Sequence, residues 1–404
     1  MKPSRLRFAS RMQDLRASDI REILKVTQQP EVISFAGGLP ASELLPAAEM
    51  AELARDLLLD DGTRALQYAP TEGLEILRKL VADRLRRLWS LGCSTEEVLI
   101  VSGSQQALDL TGKVFLDEGD VVLCESPTYL GAIGAFRAYR PTFVEVPTDD
   151  DGMVPAELEA RLNSLDRVKL IYVVPDFQNP SGRRWSIERR RKLAELAGRF
   201  DVPVIEDAPY AELCFEGEPM PPVGALGDAC TVVYLGTASK ILSPGIRLGW
   251  VVADSDLIRR YVLVKQGVDL HTSSLVQLLA ARFMLEYDLE AHIARIRDVY
   301  RSRRDAMLVA LEKHFPKDVS FTRPAGGLFL WVELPQGLDS RMLLDHALEE
   351  RVAFVPGESF FPCGGHENTL RLNFSAMPED RITEGIRRLG KVLALVMRED
   401  LVAV

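Results

Sequence analysis

The feature that most limits what this chain can fold into is an alternation. Between residues 95 and 255, short β-rich runs alternate with helical patterns; the runs cover 98–101, 121–124, 142–146, 168–174, 202–206, 231–235 and 248–253. Several are apolar without interruption, which suits strands buried on both faces of a mainly parallel sheet. Segment 186–200 reads as one of the intervening helices, with Ser186 as cap, Glu188 in the first turn and apolar Leu193, Leu196 and Ala197. Such alternation predicts an α/β fold built on a large, doubly wound sheet domain. Further on, 275–311 reads as long helix. Strand-like 327–334, 352–356 and 369–374 then interleave with helices at 340–351 and 379–397, which predicts a smaller α+β C-terminal domain.

Composition removes several classes of function. The 404 residues are 47% apolar and 27% charged, as in ordinary globular chains. A net charge of −10 argues against a nucleic-acid partner, because phosphate-backbone binding needs a basic face. No apolar run approaches the roughly 20 residues of a membrane helix. Five cysteines without a C-x-x-C pair read as reduced thiols in a cytoplasmic chain, and five scattered histidines give no zinc site. Residues 1–21 are Arg-rich but lack the apolar stretch of a secretory signal, and Asp14 and Asp19 count against a transit peptide. A structured N-terminal arm is expected instead. The phosphate-loop, dinucleotide and G-x-S-x-G motifs are missing. Asp149-Asp150-Asp151-Gly152 lacks calcium-loop spacing and reads as a solvated turn.

In an open α/β sheet, ligands bind beyond the carboxyl ends of the strands, so the residues just past each strand carry the information. Ser102-Gly103-Ser104-Gln105 opens a helix, with free N–H groups and a hydroxyl suited to a phosphate. Thr237 and Ser239 add hydroxyls and Arg247 adds a bidentate cation. Tyr129 offers a flat face for a ring, Asp207 ends an apolar strand and needs a cationic or donor partner, and Tyr210 offers a phenol. Lys240 lies among small polar residues, where partial desolvation makes its amine more nucleophilic. A phosphate, a planar ring, a ring nitrogen wanting a carboxylate and an aldehyde wanting an amine together describe pyridoxal 5'-phosphate. Taken singly, each element also has a plain structural reading. Asn179-Pro180-Ser181-Gly182 fits a turn, Ser-Gly-Ser a helix cap and Tyr129 a core position.

At Asn179-Pro180-Ser181-Gly182, Asp207-Ala208-Pro209-Tyr210 and Thr237-Ala238-Ser239-Lys240, followed by Arg247, the chain resembles fold-type I pyridoxal-phosphate aminotransferases of class I/II. The likeness runs nearly end to end. Segments 18–24 and 102–110, with Gly37-Gly38-Leu39-Pro40, resemble the 2-aminoadipate and kynurenine/aminoadipate aminotransferase group most. The resemblance implies that Lys240 carries the cofactor as a Schiff base and shuttles a proton, and that Asp207 pairs with the ring nitrogen. Asn179 and Tyr210 would reach the phenolic oxygen, and Tyr129 would stack on the ring. Ser104, Gln105, Thr237, Ser239 and Arg247 would hold the phosphate, and Tyr68 would reach it from the other subunit of a homodimer. Arg371, with Asn179 and Gly38, would bind the substrate, and Arg21 would meet its side chain. The implied division is an arm with a substrate-gating helix over 1–40, a cofactor-binding domain over 41–290 and a small domain over 291–404. Ala238 departs from the bulkier residues common at its position. The implied reaction is amino transfer between an amino acid (2-aminoadipate, glutamate, leucine or an aromatic) and a 2-oxo acid such as 2-oxoglutarate. Two alternatives stand beside it. One is a lyase or decarboxylase on the same fold, which Arg371 disfavours. The other is the effector-binding part of a transcription regulator, for which the roughly 30 residues before Phe35 are too few for a DNA-binding domain and linker.

Overall fold

Successive strand residues enter different cores, with period two, and this is why the apolar runs form a sheet covered on both sides. Leu123, Ile171, Val173 and Val204 pack into one core, while Val122, Cys124, Tyr172 and Ile205 belong to another. The computed structural model describes residues 7–13, 29 and 31–402. Segment 18–24 with Arg21, in the arm for which a substrate-gating helix is expected, lies outside the described residues.

The first described strand is β1 (Ile33–Ser34). β2 (Val98–Val101), β3 (Val121–Ser126), β4 (Thr142–Asp149), β5 (Gly152–Met153), β6 (Val168–Val173), β7 (Val204–Asp207), β8 (Val232–Thr237) and β9 (Gly249–Val252) form one sheet. Its order is β2-β9-β8-β7-β6-β3-β4-β5. Six of these strands point the same way, and only β9 and β5 oppose their neighbours in the sheet. The expected doubly wound, mainly parallel sheet is therefore present, with one reversed strand set inside it. Gly236 makes room for that strand: a β-carbon there would lie 2.0 Å from the indole nitrogen of Trp250, its register partner on β9.

A second sheet contains β10 (Ser320–Phe321), β11 (Phe329–Glu333), β13 (Val355–Pro356) and β14 (Thr369–Asn373), all antiparallel in the order β10-β11-β14-β13. β12 (Val352–Ala353) instead pairs with β1 in parallel. The single strand expected over 352–356 is thus divided at Phe354 between two sheets, and Pro356, which lacks an N–H, falls on an edge strand. The long helix expected over 275–311 is two helices, Ser274–Glu286 and Leu289–His314. Asp288 separates them, its side chain accepting from Ala291 N at 2.9 Å as an N-cap. The helix expected after Ser186 is present as Ile187–Arg199, capped by that serine. No described helix is long and apolar enough to cross a membrane.

One buried ion pair ties the helix Ile187–Arg199 to the segment leaving β6. Arg190 is fully buried and grips Asp176 through two parallel bonds of 2.7 and 3.1 Å, with the Pro175 and Pro221 carbonyls taking further N–H groups. Asp176 leads directly into Asn179. Replacing Arg190 by Leu removes both parallel bonds from a buried carboxylate, leaving it only Arg184 Nε at 3.4 Å, and is expected to cost about 3 kcal/mol in urea unfolding. Lys192→Ala, which removes only an exposed pair with Glu195, is expected to stay within about 0.5 kcal/mol. Equal midpoints for the two variants would contradict this account.

Candidate active site at the carboxyl edge of the large sheet

The parallel strands deliver their C-terminal residues to one edge, and reversed β9 begins at that same edge. Register pairs Thr237 with Gly249, so the segment entering β9 lies beside the segment leaving β8. A β-carbon on Gly249 would stand 3.0 Å from Ser104 N, which places the start of the helix Ser104–Phe115 against both. The first N–H groups of a helix have no intrahelical acceptor. Gly103 precedes them at φ +81°, and a side chain there would meet the Arg247 guanidinium at 2.5 Å. Thr237 Oγ1 lies 3.0 Å from Ser239 Oγ and accepts from Ser239 N–H at 3.2 Å. Ser104, Thr237, Ser239 and Arg247 therefore meet around a cradle that a β-carbon on Gly103 would fill, and the donor set suits a phosphate.

Asp207 ends β7, fully buried. Tyr172 donates to its Oδ2 at 2.8 Å, while Oδ1 has no partner. Burial pushes the Asp207 carboxyl up to about 7, and the Tyr172 hydrogen bond only partly opposes this. A buried acceptor left open in this way fits the protonated ring nitrogen of pyridoxal phosphate. Tyr129, half-buried at the start of the helix Leu130–Arg137, is pushed up to about 12 by burial and then by the charge of Asp207. Burial raises Tyr210 as well; its ring stands edge-on to Phe329, with centroids 5.8 Å apart.

Two cations face this group. Lys240 Nζ donates to the Gly38 carbonyl at 2.8 Å. Burial, then the charges of Arg371 and Arg247, lower its amine to about 8. Arg371 is buried on β14. It donates to Asn179 Oδ1 at 2.8 Å and to the Ala36 carbonyl, while its Nε is unpartnered. Its guanidinium sits 4.2 Å from the Phe329 ring centroid and 5.2 Å from that of Phe360. Burial lowers it to about 10, and no carboxylate pairs with it among the described residues. A guanidinium held this way calls for an anion from outside the chain.

The structure thus brings together Lys240, Asp207, Tyr210, Tyr129, Asn179, Gly38, Arg371, Ser104, Thr237, Ser239 and Arg247. Gln105 is at the same helix start, but its side chain is exposed and tied to the Gly131 carbonyl at 3.0 Å. Tyr68 stands apart, 79% exposed and edge-on to His271. Ala238 is buried in the same apolar cluster as Trp250, Leu242 and Leu248. Asp149 and Asp150 pair with Arg189 and Arg183, as befits a turn, and no described cluster of acids, histidines and cysteines is arranged to hold a metal. Sequence reasoning missed Tyr172, Phe329 and Phe360. No local signal marked Tyr172, whose place against Asp207 arises only from the pairing of β6 with β7. A cavity of about 870 Å³ opens near the opposite ends of the strands, beside Pro203, Thr231 and Val252, and none of the candidate residues lines it.

The depressed amine makes a direct prediction. In cofactor-free protein, labelling of Lys240 by an amine-acylating reagent should rise with pH to half-maximum near 8, since the reactive form is the deprotonated one. Arg371→Leu removes a neighbouring positive charge and should move that midpoint upward; peptide mapping of the label measures both. An unmoved midpoint would show that Arg371 does not act on the amine.

Comparison with known proteins places the chain. Residues 30–389 match the family described as aminotransferase class I and II. The chain is 47% identical to a 2-aminoadipate transaminase of Thermus thermophilus over 94% of each protein. It is 43% identical to aromatic-amino-acid aminotransferase 1 of Thermococcus litoralis, covering 97% of this chain and 95% of that one. Its fold superposes with a TM-score of 0.92 on a multiple substrate aminotransferase from Thermococcus profundus, at 44% identity over 97% and 98% of the two chains. It superposes at 0.91 on the alpha-aminoadipate aminotransferase of Thermus thermophilus complexed with N-(5'-phosphopyridoxyl)-L-leucine, also 44% identical over 97% and 98%. The lyase and regulator alternatives are not favoured by these matches. The chain belongs to the class I and II aminotransferases, enzymes of the pyridoxal-phosphate fold-type I.

Proposed function

We propose that this aminotransferase takes the amino group from 2-aminoadipate or glutamate, and from leucine or aromatic donors, and gives it to a 2-oxo acid such as 2-oxoglutarate. The observation that carries the reading is Arg371, a buried cation with no carboxylate partner among the described residues, held beside Asn179 and near enough to Lys240 to depress its amine. It supports capture of an α-carboxylate next to the reacting carbon. A decarboxylase would have to release that same group. The acidic and aromatic donors named for the relatives above support a broad donor range.

Pyridoxal phosphate, when bound, supplies the electron sink for the bond broken at the substrate α-carbon. Asp207 would hold the ring nitrogen in its protonated form, because an opposite charge favours the charged state. Asn179 and Tyr210 would hydrogen-bond the phenolic oxygen, Tyr129 would cover the ring face, and Ser104, Gln105, Thr237, Ser239 and Arg247 would fix the phosphate. Lys240 would anchor the cofactor and then take and return the α-proton at Nζ. The exposure of Tyr68 supports a homodimer in which Tyr68 of the partner subunit completes the phosphate site. All five thiols are unpaired, which supports a cytoplasmic setting.

Lys240→Ala should abolish amino transfer from 2-aminoadipate to 2-oxoglutarate while the protein still retains cofactor. Asp207→Asn should raise the barrier by about 3–4 kcal/mol. Near-normal turnover in either variant would remove that residue from the mechanism.

The arm carries a second expectation. If the segment around Arg21 covers the site, its guanidinium would meet the side-chain carboxylate of an acidic donor and swing aside for leucine. Arg21→Ala should then lower kcat/KM for 2-aminoadipate and leave leucine much less affected. An equal change for both donors would make Arg21 structural only.

A further inference from the structure

The helix Ser255–Gln266 ends in a turn, and Asp269 in that turn bonds Ser102 and Gln106, the residues on either side of the segment assigned to the phosphate cradle. Its Oδ2 accepts from Gln106 Nε2 at 2.7 Å and from Ser102 Oγ at 3.1 Å. Its Oδ1 accepts from Lys265 Nζ at 2.6 Å, and the Lys265 side chain is fully buried. Gln106 completes the arrangement, because its side-chain oxygen accepts from Ser102 N–H at 2.7 Å. Ser102 and Gln106 flank the Gly103-Ser104-Gln105 segment on both sides. One carboxylate therefore fixes both ends of the short stretch whose N–H groups and Gly103 concavity form the cradle.

The charges are consistent with this placement. A bare carboxylate behind a phosphate site would repel the ligand. Here burial pushes the Asp269 carboxyl up, but hydrogen bonds from Lys265 and Gln106, together with the Lys265 charge, hold it below the usual range. The Lys265–Asp269 pair is thus ionised and close to neutral as a unit, so it can orient the loop without opposing the anion. Thr272 extends the same turn, its Oγ1 lying 3.4 Å from Ser102 Oγ and donating to the Ile100 carbonyl at 3.4 Å.

We propose that Asp269 is a positioning residue for the phosphate of the cofactor, acting through Ser102 and Gln106 on segment 103–105 and not by contact. The inference rests on the reading of Ser104 and Arg247 as phosphate ligands. If it holds, losing Asp269 must weaken recognition of the phosphate and leave recognition of the ring and aldehyde alone. Pyridoxal, which has the same ring and aldehyde but no phosphate, separates the two.

Cofactor-free protein is titrated with pyridoxal phosphate and, separately, with pyridoxal, and binding is followed by absorbance. Asp269→Ala should weaken pyridoxal phosphate by about 10- to 100-fold, the scale of lost charge-assisted hydrogen bonds, with pyridoxal within about twofold of the parent. Gln106→Leu removes one of the two links and leaves Ser102 Oγ on Asp269 and the Lys265–Asp269 pair in place. It should reproduce part of the selective loss, and Asp269→Asn, which keeps the side-chain size, carries the test if Asp269→Ala fails to fold. Asp269→Glu should recover part of the affinity. Equal weakening of both ligands, or no change in either, overturns the proposal. Arg247→Ala distinguishes the underlying reading. Selective loss there but not in Asp269→Ala or Gln106→Leu defeats the proposal alone, whereas no selective loss in Arg247→Ala defeats the cradle assignment and the proposal with it.

Discussion

The site depends on two groups of opposite charge kept out of water with no counter-charge paired to either among the described residues. Asp207 and Arg371 are each almost fully buried, and each has one polar atom with no partner. Removing an ion from water costs several kcal/mol even after the protein relaxes. The fold sustains both by surrounding them with fixed neutral donors, acceptors and rings. Tyr172 donates to the carboxylate. Asn179, the Ala36 carbonyl and the faces of Phe329 and Phe360 hold the guanidinium. These neighbours orient the charges but do not neutralise them, so the electrostatic demand is left for ligands to meet. An apolar sheet buried on both sides is what makes the demand strong, because its interior screens little.

The elements meeting here come from distant parts of the chain. Residues 33–36 run beside β12, Asn179 lies beyond the end of β6, and Arg371 sits in the second sheet. Asn179 is steadied from behind by the Arg190–Asp176 pair, and the loop it heads is pinned from the far side where Thr322 Oγ1 donates to the Ser181 carbonyl at 2.8 Å. A guanidinium from one sheet thus bonds a side chain from the edge of the other, and the Arg371–Asn179 geometry is fixed by how the two sheets pack.

Much of this was legible in the sequence because it is local. Uninterrupted apolar runs specify strands buried on both faces, and Ser186 followed by Glu188 marks a helix start that the structure contains. The chemistry-bearing types at Asp207, Lys240 and Arg247 were visible as exceptions at strand ends. Features created by pairing over long separations were not legible. Tyr172 looks like one more apolar strand residue until β7 is set beside β6. Asp269 is 167 residues from Ser102 and reads as an ordinary turn aspartate. The reversal of β9 and the division of 352–356 between two sheets depend on which strand lies alongside, and no run of residues announces its neighbour. The pattern over 275–311 hid a break because Asp288 caps a helix inside an otherwise helical stretch.

The reversal of β9 has an evolutionary meaning. Because β9 returns antiparallel beside β8, Lys240 and Arg247 lie on the same connection between adjacent strands, with residues 241–246 between them. The distance from amine to guanidinium is then a property of one loop stretched between two hydrogen-bonded posts. Lengthening or shortening that loop would retune the span between the Lys240 amine and the Arg247 guanidinium without disturbing any strand register. A descendant enzyme could accommodate a differently seated ring by editing this one short connection, while the sheet that buries the charges stayed as it is.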